Sequence, residues 1–326
     1  MRTVRRILVT IKDPLSKSLP TVTKATQLAQ AWGAQIELFH ALDTPLYVDT
    51  AGTVEEGFRG MQRQIHARRL AQLEAIAARV RKRGIHVTTA AEWDFPVYES
   101  IVRRASRISA DLIVAECGMG RRVAPMLLRL TDWELLRLSP VPVLVVKGKR
   151  PYHHPTILAA VDPRHTHAKS ARLDADILQA GASLQQALRG KLLAVHACPT
   201  AILPTDDLIG GDIALRVQRQ IKAGARKSFD SALRGTRIPP ARRYLLERSP
   251  RRAILDTVRA TRSALVVMGA VSRSGLKRIF IGNTAEKILD ELPCDVLVIK
   301  PRGFASRVPR VKRGARLLVP LSLSPL

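Results

Sequence analysis

The sequence predicts an α/β fold made of two tandem, doubly wound domains, each built on a five-stranded parallel sheet. Short β-branched runs alternate with longer amphipathic stretches, which is the pattern of a parallel sheet covered by helices. The chain also repeats itself, since ADLIVA (110–115) and VLVVK (143–147) return without a gap as SALVVM (263–268) and VLVIK (296–300). With 326 residues the chain is long enough for two such domains, which we place at 1–150 and 151–302.

In the first half, each apolar run of five or six residues is predicted as a strand, and the helices lie between them. The strands are expected at 6–11, 35–40, 86–91, 112–116 and 142–147. The helices are expected at 20–32, 60–83, 96–109 and 132–138.

The second half gives the same order of elements. Its strands are expected at 156–161, 191–197, 242–247, 265–268 and 295–300, and its helices at 169–188, 212–234, 250–262 and 284–292. Right-handed crossovers place such helices on both faces of a sheet, and ligands bind outside the carboxyl ends of the strands where the strand order reverses. The loops after the first and fourth strands are therefore the expected site. The apolar last strands of the halves need cover, and we expect them to pair with each other.

Residues 303–326 continue neither domain. Residues 301–326 carry six basic residues and no acidic residue. Three prolines follow Pro301 in this segment. We predict a basic, flexible tail.

Charge and composition exclude several function classes. The net charge is +27, but the excess is spread over both halves, and aromatic residues make up only 4%. Stacking platforms for single strands are therefore scarce, and we expect any nucleic-acid binding to be nonspecific. No apolar run reaches the length of a membrane helix, and the three cysteines form no pattern of a disulfide framework. We expect a cytoplasmic protein without a membrane partner.

The segment after the fourth strand of the second half carries the candidate site. Gly269, Ser272 and Gly282 are small residues that let the backbone approach a ligand, and Asn283-Thr284 leads into a helix whose free N–H groups attract anions. Arg273 adds positive charge beside a bound phosphate. The same residues also fit ordinary turns and a helix cap, and spacing alone leaves both interpretations open.

The repeated halves, the TDWELL segment (131–136) and the segment GNTAEKILDELPCDVLVIKP (282–301) resemble the universal stress protein family, in its tandem-domain form. The resemblance implies a Rossmann-like fold of the adenine nucleotide alpha hydrolase type. Nucleotide-binding members carry G-x-x-G, nine residues, then G-[ST], and this pattern falls on Gly269, Ser272, Gly282 and Asn283. Ser272 and Asn283 depart from it. The resemblance also implies that Asp162, after the first strand, contacts the adenine or the ribose.

In the first half, the positions that correspond to this motif are occupied by Glu116, Met119, Arg129 and Leu130. A carboxylate repels a triphosphate and the larger side chains fill its space, so we predict that this half has lost the nucleotide site. Thr131 and Glu134 form a capping box, which gives the helix start a structural role without a ligand.

These expectations describe a non-enzymatic stress protein that binds a small ligand, ATP with Mg²⁺, through its second half. The two halves are expected to pair as an intramolecular pseudo-dimer. An alternative is a partly apolar, non-nucleotide ligand, because both sites have lost motif residues. A slow ATPase is a further alternative, although P-loop and nucleophile-elbow motifs are absent from the sequence. No catalytic residue and no metal site are predicted.

Overall fold

The computed structural model describes residues 4–47, 55–116, 133–164, 171–198, 211–270, 288–289 and 291–318. It divides into two compact units. The first domain contains the described residues of Thr3–Val141 and Ala305–Leu326, and the second domain contains those of Pro142–Phe304. Among the described residues, no helix is long and apolar enough to cross a membrane.

The elements alternate along the chain as the hydrophobic pattern predicts. The strands are β1 (Arg6–Thr10), β2 (Gln35–Leu42), β3 (Leu46–Tyr47), β4 (Val87–Trp93), β5 (Leu112–Glu116), β6 (Val143–Val146), β7 (Thr156–Ala160), β8 (Lys191–Ala197), β9 (Arg243–Leu246), β10 (Leu265–Gly269), β11 (Asp295–Ile299) and β12 (Leu317–Leu318). The helices are α1 (Pro20–Trp32), α2 (Glu55–Arg81), α3 (Val97–Arg107), α4 (described over 133–138), α5 (Ala171–Leu188), α6 (Gly211–Ala232) and α7 (Pro250–Thr261).

The first domain is built on a parallel sheet in the order β4-β2-β1-β5. Its central strands are buried on both faces, with Leu8, Val9 and Ile113 fully enclosed. Such continuous apolar burial is what a parallel sheet between two helical layers requires. Helix α1 begins at Pro20, whose ring suits a first helical turn, and is closed by Gly33 in the left-handed conformation.

The second domain has the sheet order β6-β11-β10-β7-β8-β9, in which β6 is antiparallel to β11 and the other pairs are parallel. The mixed α/β fold with a mostly parallel sheet is as predicted. The predicted pairing of the last strands is confirmed, since Leu144 lies opposite Leu297. Each strand covers the edge of an apolar neighbour.

The two compact units divide between Val141 and Pro142, and the domain boundary near residue 150 stays a prediction. Strand β6, which the sequence analysis places at the end of the first half, lies in the compact unit that contains the second half, where it pairs with β11. Asp295 anchors the segment that follows β6, because its carboxylate accepts from the backbone N–H groups of Lys147 and Gly148, both at 2.9 Å. The Tyr152 hydroxyl donates to the same carboxylate at 2.6 Å.

The sequence predicts a flexible C-terminal tail, and in the structure its residues 305–318 pack on the first domain. This part of the chain belongs to the first domain, where β12 pairs in parallel with β3. The Arg313 guanidinium donates to Glu99 at 2.9 and 3.0 Å, and its backbone N–H donates to Asp94 at 2.9 Å. Local composition could not reveal this docking, because Glu99 lies 214 positions before Arg313.

Candidate ligand site of the second domain

The carboxyl ends of β7 and β10 form the candidate site. The two strands are parallel neighbours, with Ala160 opposite Met268. Asp162 follows β7 and Gly269 ends β10, so the fold brings these two predicted residues to the same edge of the sheet. This is the position at which doubly wound sheets bind their ligands.

The peptide between Val161 and Asp162 is held from two sides. The backbone N–H of Asp162 donates to Asp174 Oδ1 at 3.1 Å, from the first turn of α5. The carbonyl of Val161 is bonded to Nδ1 of His196, from the end of β8, at 3.2 Å. Asp162 itself is half-buried. The start of the loop is therefore fixed before any ligand arrives, which lowers the entropic cost of binding.

His196 is a residue of this site that the sequence analysis missed. A carbonyl oxygen only accepts, so Nδ1 carries the proton and Nε2 has the lone pair in the neutral ring. Burial lowers the pKa of His196, and the bond to the Val161 carbonyl and the charges of Asp162 and Asp174 oppose that shift. The ring lies 5.8 Å from that of Phe229, between centroids. A neutral imidazole in a fixed orientation therefore holds the start of the loop after β7.

Gly269 has a packing role that the motif does not indicate. A Cβ atom at this position would lie 2.7 Å from Cδ2 of Leu173 and 3.3 Å from Cδ1 of Ile177. Both side chains belong to α5, which therefore approaches β10 closely. The absence of a side chain at Gly269 therefore allows α5 to pack closely against β10.

A cleft of about 460 Å³ has Pro163, the residue after Asp162, in its wall. Pro163 and Asp174 line it together with Lys227 and Arg234, which add positive charge. Its volume lies within the range of small-molecule sites.

The other predicted site residues lie outside the described part of the chain: Ser272, Arg273, Gly282, Asn283 and Thr284. The structure resumes at Ile288 and Leu289, which are helical and buried, inside the predicted helix 284–292.

The corresponding edge of the first domain keeps one feature of the site. His40, at the end of β2, is bonded through Nδ1 to the carbonyl of Ile11 at 2.8 Å, and burial is the main cause that lowers its pKa. The Asp13 carboxylate accepts from the backbone N–H of Leu15 at 2.9 Å and closes its own turn. Glu116 ends β5 where Gly269 ends β10. Met119, Arg129 and Leu130 lie outside the described residues.

A signal for the two histidines is present in the sequence. Phe39-His40 and Val195-His196 stand at the same place in the second strand of each half. An isolated histidine within an apolar strand is typical of a core residue. Only the register of the sheet shows that each of these two histidines faces the loop after the neighbouring strand.

Comparison with known proteins gives a consistent result. The model of the universal stress protein family matches residues 3–147 and 155–300. Universal stress protein E of Salmonella typhi is 27% identical over 317 residues, covering 94% of this chain and 98% of that protein. The protein of the same name from Escherichia coli K12 is 26% identical over 324 residues, covering 94% and 98%.

Solved structures show the same fold. A functionally unknown protein from Pseudomonas aeruginosa PAO1 has a TM-score of 0.71 at 24% identity, covering 91% of this chain and 93% of that one. A universal stress protein from Archaeoglobus fulgidus has a TM-score of 0.57 at 16% identity, covering 90% and 96%. With a family match in each half, the chain belongs to the universal stress protein family.

Proposed function

We propose that the second domain binds ATP with Mg²⁺, and that this binding, without hydrolysis, is how the protein takes part in a cytoplasmic stress response. One observation carries the proposal: Asp162 stands at the carboxyl edge of the sheet on a peptide that His196 and Asp174 hold in place. In the family that the chain belongs to, the corresponding Asp contacts the adenine or the ribose. Lys227 and Arg234 make the adjacent cleft favourable for an anion.

The motif favours modest affinity. Gly269 and Gly282 keep the family's spacing, whereas Ser272 and Asn283 replace a glycine and a hydroxyl residue. A Cβ atom at position 272 reduces the space for a phosphate, while the amide of Asn283 still offers a hydrogen bond to an oxygen. Binding is therefore best tested at millimolar ATP.

The experiment compares Asp162→Ala with Asp13→Ala, a matched change at the equivalent loop of the first domain. Isothermal titration with ATP–Mg²⁺ should give one site in the wild type, and Asp162→Ala should weaken it by about tenfold or more, since a hydrogen bond to a charged group is lost. Asp13→Ala should leave the affinity unchanged. Gly282→Trp should abolish binding by filling the predicted phosphate position.

Three results would contradict the proposal. They are no heat and no thermal shift at millimolar ATP, equal losses in the two Asp variants, and phosphate release that depends on Asp162. The last result would make the protein a slow ATPase. Release that survives both Asp162→Ala and Gly282→Trp would instead indicate a contaminating enzyme.

The departures at Ser272 and Asn283 favour one alternative ligand class, a partly apolar molecule that is not a nucleotide. Mass spectrometry of the ligand released from freshly purified protein separates the two. An adenine nucleotide supports the proposal, and an apolar small molecule in its place supports the alternative.

A further inference from the structure

Away from the candidate site, helix α7 lines a surface groove that is rich in arginine. The groove has a volume of about 450 Å³, and Arg248, Arg251, Arg252 and Arg259 lie along it, with Leu255 also in its wall. Asp256 and Glu291 are the carboxylates that line it. The groove thus has more positive than negative side chains.

Both carboxylates are already engaged within the groove. Asp256 forms an ion pair with Arg248, and Glu291 accepts from Nε of Arg251 at 3.0 Å. Arg252 and Arg259 are exposed, and within the described residues neither guanidinium has an acidic partner. Two cations of the groove are therefore available to an external anion.

These two arginines have a fixed spacing. They are seven residues apart, which is about two turns or roughly 10.5 Å along one face of a helix. The opposite face of α7 is anchored in the core through Ala253, Ile254 and Val258. The arginines are therefore presented as a row on a rigid element rather than on a loop.

We propose that this groove binds the phosphate backbone of duplex nucleic acid. Guanidinium groups form paired hydrogen bonds with phosphate oxygens, and a straight row of them suits a regular polyanion better than a single small anion. A duplex is favoured over a single strand because aromatic residues are only 4% of the chain. Contacts to phosphates alone carry no sequence information, so binding is independent of sequence.

The C-terminal segment is a less suitable place for such binding. Its Arg313 and Lys312 are held by Glu99 and Glu92 of the first domain. Their charge is largely neutralised there, whereas that of Arg252 and Arg259 is not.

The test measures the affinity of the full chain for a fluorescent 20-base-pair duplex at several salt concentrations. Arg252→Gln combined with Arg259→Gln removes the row. The matched control, Arg216→Gln combined with Arg219→Gln, removes the same charge from exposed positions of α6. The α7 pair should weaken binding about tenfold or more at 50 mM salt and reduce the slope of log K against log salt by about 1.8, or 0.9 per phosphate. The control pair should change the affinity less than about twofold, because neither arginine lines the groove.

Equal losses in the two pairs would overturn the proposal, because general net charge would then account for the binding. So would the absence of binding at 50 mM salt, or tighter binding of a single strand than of the duplex. Thermal unfolding of both variants verifies that the exposed substitutions leave the fold intact. The readout contains no ATP, so its failure is independent of the nucleotide proposal.

Discussion

At the scale of single residues, His40 and His196 show how the same support is repeated in both domains. Each ring hydrogen-bonds through Nδ1 to the carbonyl that precedes the loop after the first strand. In both cases burial lowers the pKa below the ordinary value of 6.5. In the neutral ring the proton therefore stays on Nδ1, which donates it to the carbonyl, and protonation of Nε2 is disfavoured.

This arrangement predicts a stability that decreases in mild acid. The unfolded chain takes up protons at these histidines near pH 6.5 while the folded chain does not, so the free energy of unfolding falls as the pH drops below 6.5 towards the folded pKa. The double variant His40→Asn/His196→Asn keeps an N–H donor but does not titrate. Urea unfolding at pH 7 and at pH 5.5 should show a smaller loss for this variant than for the wild type. Equal losses would show that these rings do not contribute.

At the scale of elements, the contact between α3 and the C-terminal segment depends on one buried arginine. Arg103 is bonded to both oxygens of Asp94 at 2.8 and 2.9 Å, to Glu99 at 2.9 Å and to the carbonyl of Pro309 at 3.1 Å. Its side chain is 4% exposed, and Asp94 is fully buried. The guanidinium therefore joins strand end, helix and C-terminal segment in one network.

Replacing Arg103 should destabilise the first domain severely. Arg103→Met leaves the Asp94 carboxylate buried without this partner, and we expect a loss of about 3–5 kcal/mol in the free energy of unfolding. Arg107→Met is the matched control on the same helix, because its side chain is 46% exposed, and its loss should stay below about 1 kcal/mol. Urea denaturation measures both. Similar losses would contradict the role given to the buried network.

At the scale of the whole molecule, the division into compact units does not coincide with the internal sequence repeat. The compact unit that contains the second half begins at Pro142, so it includes β6 and the segment that Asp295 anchors. A fragment 142–304 should therefore unfold cooperatively, whereas a fragment 151–302 should be less stable because β11 lacks its partner strand. Urea unfolding of the two fragments tests this. Equal midpoints would show that β6 does not support the second domain.

The strands could be predicted because each is an apolar run of the right length, and the internal repeat supported the assignment. The compact unit in which β6 packs could not be predicted, because β6 is as apolar as its counterpart β11 and its composition does not show which strands it will pair with. For the site, Asp162 and Gly269 were correctly expected at one edge. The role of Gly269 was missed, because a sequence motif does not show that Leu173 packs against the position.

The C-terminal residues illustrate the limit of local composition. A basic, proline-containing segment suggests a free arm, and only the fold brings Arg313 to Glu99. The loss of a nucleotide site in the first half and the pairing of the halves as a pseudo-dimer stay predictions.

Because residues 305–318 complete the first domain, translation and assembly proceed in different orders. A ribosome finishes residue 141 long before it reaches residue 318, about 9–35 s earlier at an elongation rate of about 5–20 residues per second. The nascent amino-terminal half must wait through that interval with Asp94 and Glu99 lacking the cation of Arg313. The second domain, although it is synthesised later, is therefore the first to have its complete chain. A premature stop before residue 305 would destabilise the first domain, which was synthesised earlier.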